Sequence, residues 1–206
     1  TPLALYKYRH TDGAELVFYS PSLSQYIPHI MRQYERARIM HTELWRIDRP
    51  LQSPIMLLMD LQDDGNGGAS PLPVNYIGIG MAPVNMSYYV APTVERYAHL
   101  FKHEYTHTVM TDRPNSRDRR FRSLFGAKVG ADNRFPASML WSVLTTPRWY
   151  APRWYHEGIA CFMETWLSGG VGRALGGYDE MYFRSMVNED APLSTVVGLE
   201  SEGSTK

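Results

Sequence analysis

His103-Glu104-Tyr105-Thr106-His107 lies in the middle of an apolar-patterned segment, residues 93–111, whose periodicity predicts a helix. Val94, Tyr97, Ala98, Phe101, Tyr105 and Val109 fall on one broad apolar face. Pro92 suits the first helical turn, where its missing N–H is no loss, and Thr93 and Glu95 sit near the positive end of the helix dipole. Two histidines four residues apart project from the same side, about one turn from each other, so their imidazoles can converge on one metal ion. Glu104, beside the first, points at the same place. The blander alternative is a polar face with two solvated histidines; the helix signals on either side weigh against it, because they put the motif mid-helix, where convergence needs it.

The pattern H-E-x-x-H is that of zinc hydrolases. In such a site the carboxylate takes a proton from a metal-bound water whose pKa Zn²⁺ lowers to about 7. His103 and His107 are therefore candidate ligands of one Zn²⁺, and Glu104 is the candidate general base.

With 206 residues, 44% of them hydrophobic, the chain can bury a real core as one domain. Its 21 basic and 21 acidic side chains balance, so net charge suggests neither nucleic acid nor an anionic membrane as partner. No apolar run approaches the roughly 20 residues of a membrane span. Cys161 is the only cysteine, which excludes an internal disulfide and leaves the redox compartment open. A Thr start implies processing or trimming.

Residues 3–9 and 14–19 read as two strands joined by a turn at Asp12-Gly13, a hairpin. From Ser24 to Ile47, Tyr26, Ile30, Tyr34, Ala37, Met40, Leu44 and Trp45 recur with helical spacing, and Pro28 fits the first turn of a long amphipathic helix. Residues 54–61 form a nearly continuous apolar run suited to a buried central strand. Asp63-Asp64-Gly65-Asn66-Gly67 imitates a calcium loop, but Pro71 stands where the bidentate Glu belongs, so a turn is expected over residues 60–68. Residues 74–82 alternate like a strand, and two glycines with Pro83 suggest an edge that could hold an extended peptide. Residues 112–122, with five arginines, read as a solvated loop rather than a nucleic-acid patch. Residues 135–144 suggest a short helix before the proline- and aromatic-rich stretch 147–155.

A catalytic zinc takes three protein ligands. A metzincin would place histidine at position 113 and glycine at 110; Arg113 and Met110 exclude that class. Asp112 is available, but its place at the helix end is explained by capping or by hydrogen bonding to a loop. The segment Trp154-Tyr155-His156-Glu157-Gly158-Ile159-Ala160-Cys161-Phe162-Met163-Glu164 reads as another helix. Here the chain resembles the gluzincin metallopeptidases, whose second helix carries an E-G-x-A motif. The resemblance implies Glu157 as third ligand beside His103 and His107, Glu104 as base, and Gly158 as a point of close helix packing. It implies that Glu164, seven residues after Glu157, orients a ligand, as in the aminopeptidase-like branch. Cys161 stands where thermolysin-like members have Asp, so the aminopeptidase-like or peptidase MA-like branch fits best; the edge strand lacks a G-A-M-E-N motif, so exopeptidase specificity is not implied. His156 and His99 are expected to be structural or peripheral.

The implied fold is α+β and zincin-like, with a small twisted mixed sheet, an edge strand beside the motif helix and a helical part following, over residues 1–206 as one domain (1–90 sheet-rich, 91–206 helical). The implied function is hydrolysis of a peptide or protein substrate with one Zn²⁺; the competing class is a catalytically silent binding module, and a structural zinc scaffold would need a fourth ligand such as Asp112 or His156. Gluzincins take an oxyanion donor from a later helix, for which Tyr178 and Tyr182 are the only tyrosines after Glu157, and further C-terminal polypeptide is expected. Similar domains are frequent in exported bacterial proteins, which implies a periplasmic or extracellular setting.

Overall fold

A computed structural model describes residues 4–47, 51–60, 65–72, 74–82, 95–125, 144, 146–148 and 150–192. The opening hairpin pairs β1 (Tyr6–Arg9) antiparallel with β2 (Glu15–Phe18). Its turn places Gly13 at φ 91°, a conformation that only a residue without Cβ adopts freely. Asp12 secures the turn, accepting from Ala14 N at 2.9 Å and from the Tyr34 hydroxyl at 2.8 Å. A 3-10 turn over Pro21–Tyr26 absorbs Ser24 and delivers the chain into α1 (Ile27–Leu44), with Pro28 in the first turn as expected.

The apolar run forms β3 (Ile55–Met59), and β4 (Gly67–Ser70) and β5 (Tyr76–Gly80) complete a five-stranded mixed sheet in the order β1-β2-β3-β5-β4. β3 is central and parallel to both β2 and β5, which requires α1 as the crossover from β2 to β3. The parallel register aligns Leu16, Met56 and Ile77 in one row and Phe18, Leu58 and Ile79 in the next. These rows are buried against Ile30, Met31, Tyr34 and Ala37 of α1 and Phe101, Tyr105 and Val109 of α2 (Arg96–Asp112). Tyr34 meets both Phe101 and Tyr105 edge-on at 5.9 Å, a geometry favoured by the ring quadrupoles. The fold is thus α+β, and none of the described helices is long and apolar enough to cross a membrane.

Several boundaries differ from expectation. The edge strand on this side of the sheet is β4, whose first two residues come from the segment read as a turn, while the strand expected at the edge, β5, is interior between β3 and β4. Gly67-Gly68 carries no apolar signal, yet it is what the packing needs. A Cβ at Gly67 would stand 2.8 Å from Leu100 Cδ1 of α2 and 3.1 Å from Gly78 O. The edge strand does therefore lie beside the motif helix. That helix begins at Arg96, with the Glu95 carboxylate as N-cap accepting from Tyr97 N and Ala98 N. Pro92, Thr93 and Val94 lie outside the described residues, as does the expected 135–144 helix apart from Leu144.

Residues 116–125 are helical (α3, Ser116–Phe125), not a loop. The cause is a capping box. Asn115 N donates to Asp118 Oδ2 at 2.9 Å, and Asp118 N donates to Asn115 Oδ1 at 2.8 Å. Asp112 is no helix cap; nearly fully buried, it accepts from Gln52 N at 2.6 Å, Asn75 Nδ2 at 3.3 Å and Arg122 Nη2 at 3.1 Å, joining the end of α2 to the sheet and α3. α4 (Arg153–Trp166) packs on α2, and α5 (Gly177–Asn188) follows a 3-10 turn over Arg173–Leu175.

Two outcomes follow from this packing. Gly67→Ala should destabilise by about 1–3 kcal/mol through overpacking against Leu100 and the β5 backbone. Gly68→Ala, whose Cβ would meet nothing within 4 Å, should be close to neutral. Urea denaturation of the two variants makes the comparison, and equal midpoints would contradict the packing.

His41, fully buried, donates Nε2–H to Lys102 O at 3.0 Å and accepts at Nδ1 from Trp45 Nε1 at 3.1 Å, so it is held neutral. Burial lowers its pKa from 6.5 to about 4, against a smaller opposing effect of the Lys102 carbonyl. As pH falls from 6.5 toward 4 the unfolded chain takes up a proton that the folded one refuses, so stability is lost across that window, by up to about 3 kcal/mol. Wild type should therefore lose more stability than His41→Gln between neutral pH and pH 4; parallel urea-midpoint curves would refute this.

Candidate metal centre

Helical periodicity sets His99, His103 and His107 on one side of α2, and α4 lays Glu157, Cys161 and Glu164 against that side. His103 Nε2 and His107 Nε2 stand 3.3 Å apart. Glu157 reaches both, with Oε2 3.2 Å from His103 Nε2 and Oε1 3.8 Å from His107 Nε2. Donor atoms about 2.0–2.2 Å from a tetrahedral zinc lie roughly 3.3–3.6 Å from one another. The three observed spacings straddle that range, so two imidazole nitrogens and one carboxylate fit Zn²⁺ in number, chemistry and distance.

The electrostatics are those of donors crowded round one point. Two imidazoles this close do not both carry a proton's charge. Burial works to lower the pKa of His103, but hydrogen bonds that the ring makes to Cys161, Glu157 and Glu164 overcome it and raise the pKa well above the ordinary value. His107 is driven down to about 4, by burial first and then by the positive charge of His103. Glu157 falls to about 2, chiefly through its hydrogen bond with His103. Glu104, only 6% exposed, is pushed up to about 7 by burial. Among the described residues no hydrogen bond or ion pair engages its carboxylate.

Behind the histidines lies Glu164, with no exposed surface. Its Oε2 is 2.8 Å from His103 Nδ1, the arrangement by which a carboxylate orients a ligating imidazole. Arg173 spans both oxygens, Nε to Oε1 at 2.7 Å and Nη2 to Oε2 at 2.7 Å. Burial alone would raise the Glu164 pKa; the bonds from Arg173 and His103, with His99 nearby, hold it well below the usual carboxylate range. His99 Nε2 lies 3.2 Å from Oε1, within ion-pair range but outside hydrogen-bond alignment. Free Cys161 adjoins His103 and Glu164.

Of the sequence-derived site residues, His103, Glu104, His107, Glu157 and Glu164 come together. Tyr178 and Tyr182 do not. They are 48% and 46% exposed on α5, and among the described residues no hydrogen bond, ion pair or ring contact joins either to the cluster. Gly158 does not mediate close packing, since a Cβ there would meet nothing within 4 Å. Asp112 and His156 are engaged elsewhere, the latter through Nε2 to Arg148 O at 3.0 Å. Sequence reasoning missed Arg173. The usable signal is that a buried glutamate requires a cation, and Arg173 is the only charged residue between Glu164 and Tyr178. A second group, His10, Asp12 and Glu35, is already satisfied by Arg38, Tyr34 and Ala14 N. No known family, curated protein or solved structure matches this chain.

Calorimetric titration of metal-free protein should find one Zn²⁺ per chain. His103→Ala, His107→Ala and Glu157→Ala should each weaken it more than about 100-fold, beyond the range typical of outer-shell changes, while His156→Gln should leave the stoichiometry intact. Wild-type affinity in Glu157→Ala would remove it from the ligand set.

Proposed function

We propose that the chain is a gluzincin-type zinc hydrolase acting on a peptide or protein substrate, with His103, His107 and Glu157 holding one Zn²⁺ and Glu104 serving as general base. The observation that carries this reading is the convergence of two Nε2 atoms and a carboxylate, 3.2 to 3.8 Å apart, beside a buried glutamate that is not one of the three. When bound there, Zn²⁺ supplies a Lewis acid that acidifies water and polarises a carbonyl. Glu104 is matched to the proton transfer. Burial lifts its carboxyl to about 7 in the metal-free protein, so the group is suited to take a proton from water acidified in that way and to pass it on to the leaving amine. Its burial keeps competing bulk water from that proton. Glu164 holds the His103 ring from behind, which fixes the direction of Nε2. The choice of a peptide bond over an ester or another amide follows from the resemblance of the two helical motifs.

A structural zinc scaffold is disfavoured, since neither Asp112 nor His156 joins the three donors. A metal-keeping binding module gains support from one observation: Tyr178 and Tyr182, the expected oxyanion donors, are turned to solvent on α5. Glu104→Gln separates the two. Glu104 is no ligand, so zinc affinity should be kept, while cleavage of a broad peptide library should fall about 10²- to 10⁴-fold, the contribution of a general base. Undiminished cleavage would refute the base assignment. A zinc-loaded wild type that binds library peptides and cleaves none would favour the binding module.

A further inference from the structure

Arg173 reaches the site from outside the two helices that build it. After α4 the chain turns through Gly169 at φ 67° and Gly170 at φ 91°, and it folds back on the last turn of that helix. Gly170 N donates to Thr165 O at 2.9 Å and Ala174 N to Thr165 Oγ1 at 3.1 Å. Gly172 lies so close to Thr165 that a Cβ would stand 2.8 Å from Thr165 Cα. This strap sets Arg173 N 3.4 Å from Glu164 Oε1 and lays the guanidinium across both carboxylate oxygens.

We infer that Arg173 is a positioning residue of the metal centre: its bidentate fork locks Glu164 against His103 Nδ1 and thereby turns His103 Nε2 toward His107 and Glu157. The inference rests on the zinc-site reading proposed above. A carboxylate with no exposed surface cannot be left unpaired, and a fork that grips both oxygens fixes its plane as well as its position. Oε2, held by Nη2, is the oxygen 2.8 Å from Nδ1, and Nη2 itself is 2.8 Å from that same nitrogen. Once it gives up the positive charge it carries in the metal-free protein, as a ligand must, the ring has two tautomers to choose between. With the proton on Nδ1, the ring donates to Glu164 Oε2, Arg173 Nη2 donates to that same oxygen and not to the ring, and the Nε2 lone pair faces the other two donors. With the proton on Nε2, Nδ1 accepts from Arg173 and Nε2 can only donate to Glu157. A metal on Nε2 demands the first tautomer, and the first tautomer needs the Glu164 oxygen where the fork puts it. An ammonium at position 173 would hold one oxygen as a point charge and leave the plane free.

Zinc titration of wild type, Arg173→Gln, Arg173→Lys, Glu164→Gln and the Glu164→Gln/Arg173→Gln double variant tests this, together with ¹⁵N NMR of the histidine rings and thermal unfolding of each metal-free protein. Arg173→Gln should weaken zinc binding about 10- to 100-fold, Arg173→Lys less, and the double variant no more than Glu164→Gln alone, because both changes interrupt one chain of contacts. The zinc-loaded wild type should show a protonated Nδ1 at His103, and Arg173→Gln should lose that ordered proton. Losses that add in the double variant, or a fall in thermal stability with zinc affinity and the Nδ1 signal unchanged, would reduce Arg173 to a structural ion pair and overturn the inference. Should Arg173→Gln not fold, Arg173→Lys decides, since wild-type affinity with lysine removes the fork's role. A wild type that binds no zinc sinks both readings; a zinc-binding wild type matched by Arg173→Gln sinks only this one.

Discussion

Everything here depends on α2 having two buried faces of opposite character. Phe101, Tyr105 and Val109 form one stripe, and His99, His103 and His107 form another two residues out of phase, roughly 200° away around the helix. The first stripe packs on α1 and the sheet, so the second must face α4. A helix wedged this way carries polar groups into a place without bulk water. Its threonines show how the lesser of them are satisfied: Thr106 Oγ1 and Thr111 Oγ1 donate to the carbonyls of Lys102 and His107, both at 2.7 Å.

The titratable groups on that seam have no such local escape, and their properties follow from it. Desolvation raises Glu104 and lowers His107, whereas Glu157 and Glu164 stay charged because cationic or N–H partners outweigh the same penalty. Two carboxylates on one helix and one beside the first histidine thus end in different states. Environment separates them: Glu164 has a guanidinium, Glu157 has an imidazole, and Glu104 has neither. That separation is what the proposed general base would require beside metal ligands.

The elements that the sequence revealed are those with periodic or continuous apolar residues. Leu16 and Phe18 alternate with half-buried neighbours, residues 55–59 are apolar throughout, and α1, α2 and α4 keep their stripes over three or more turns. β4 escaped notice because an edge strand squeezed against Leu100 needs Gly67, and glycine carries no pattern. β5 reads as an edge because of Gly78, Gly80 and Pro83, but β4 takes the outer place. α3 was hidden by its arginines, although Asn115 and Asp118 announced its start. Within the site, the i, i+4 histidines were legible from spacing alone, and Glu157 and Glu164 from the likeness of the second helix to a known motif. Arg173 was not legible, because its partnership with Glu164 is made by a glycine-rich strap whose path no periodicity records.

Three donors from helices some 50 residues apart can share a metal only if α4 keeps its register on α2 to a fraction of an ångström. Apolar packing alone does not fix a helix against sliding that finely; directional bonds at both ends do. Just before α4, Arg148 donates to Met110 O at 2.6 Å and Arg113 O at 2.7 Å, meeting the unsatisfied carbonyls and negative dipole end of α2. It does so from a left-handed backbone at φ 54°, an unfavourable conformation for arginine that His156 helps hold by bonding Arg148 O. Just after α4, Arg173 grips Glu164 at His103, and Lys102 Nζ reaches Ser168 Oγ at 3.0 Å. The two arginines pull on opposite ends of the same helix pair, so a slide that relaxes one contact lengthens the other. Glu157 sits between those anchors, in the first turn of α4, where the register they impose sets its distance to both histidines.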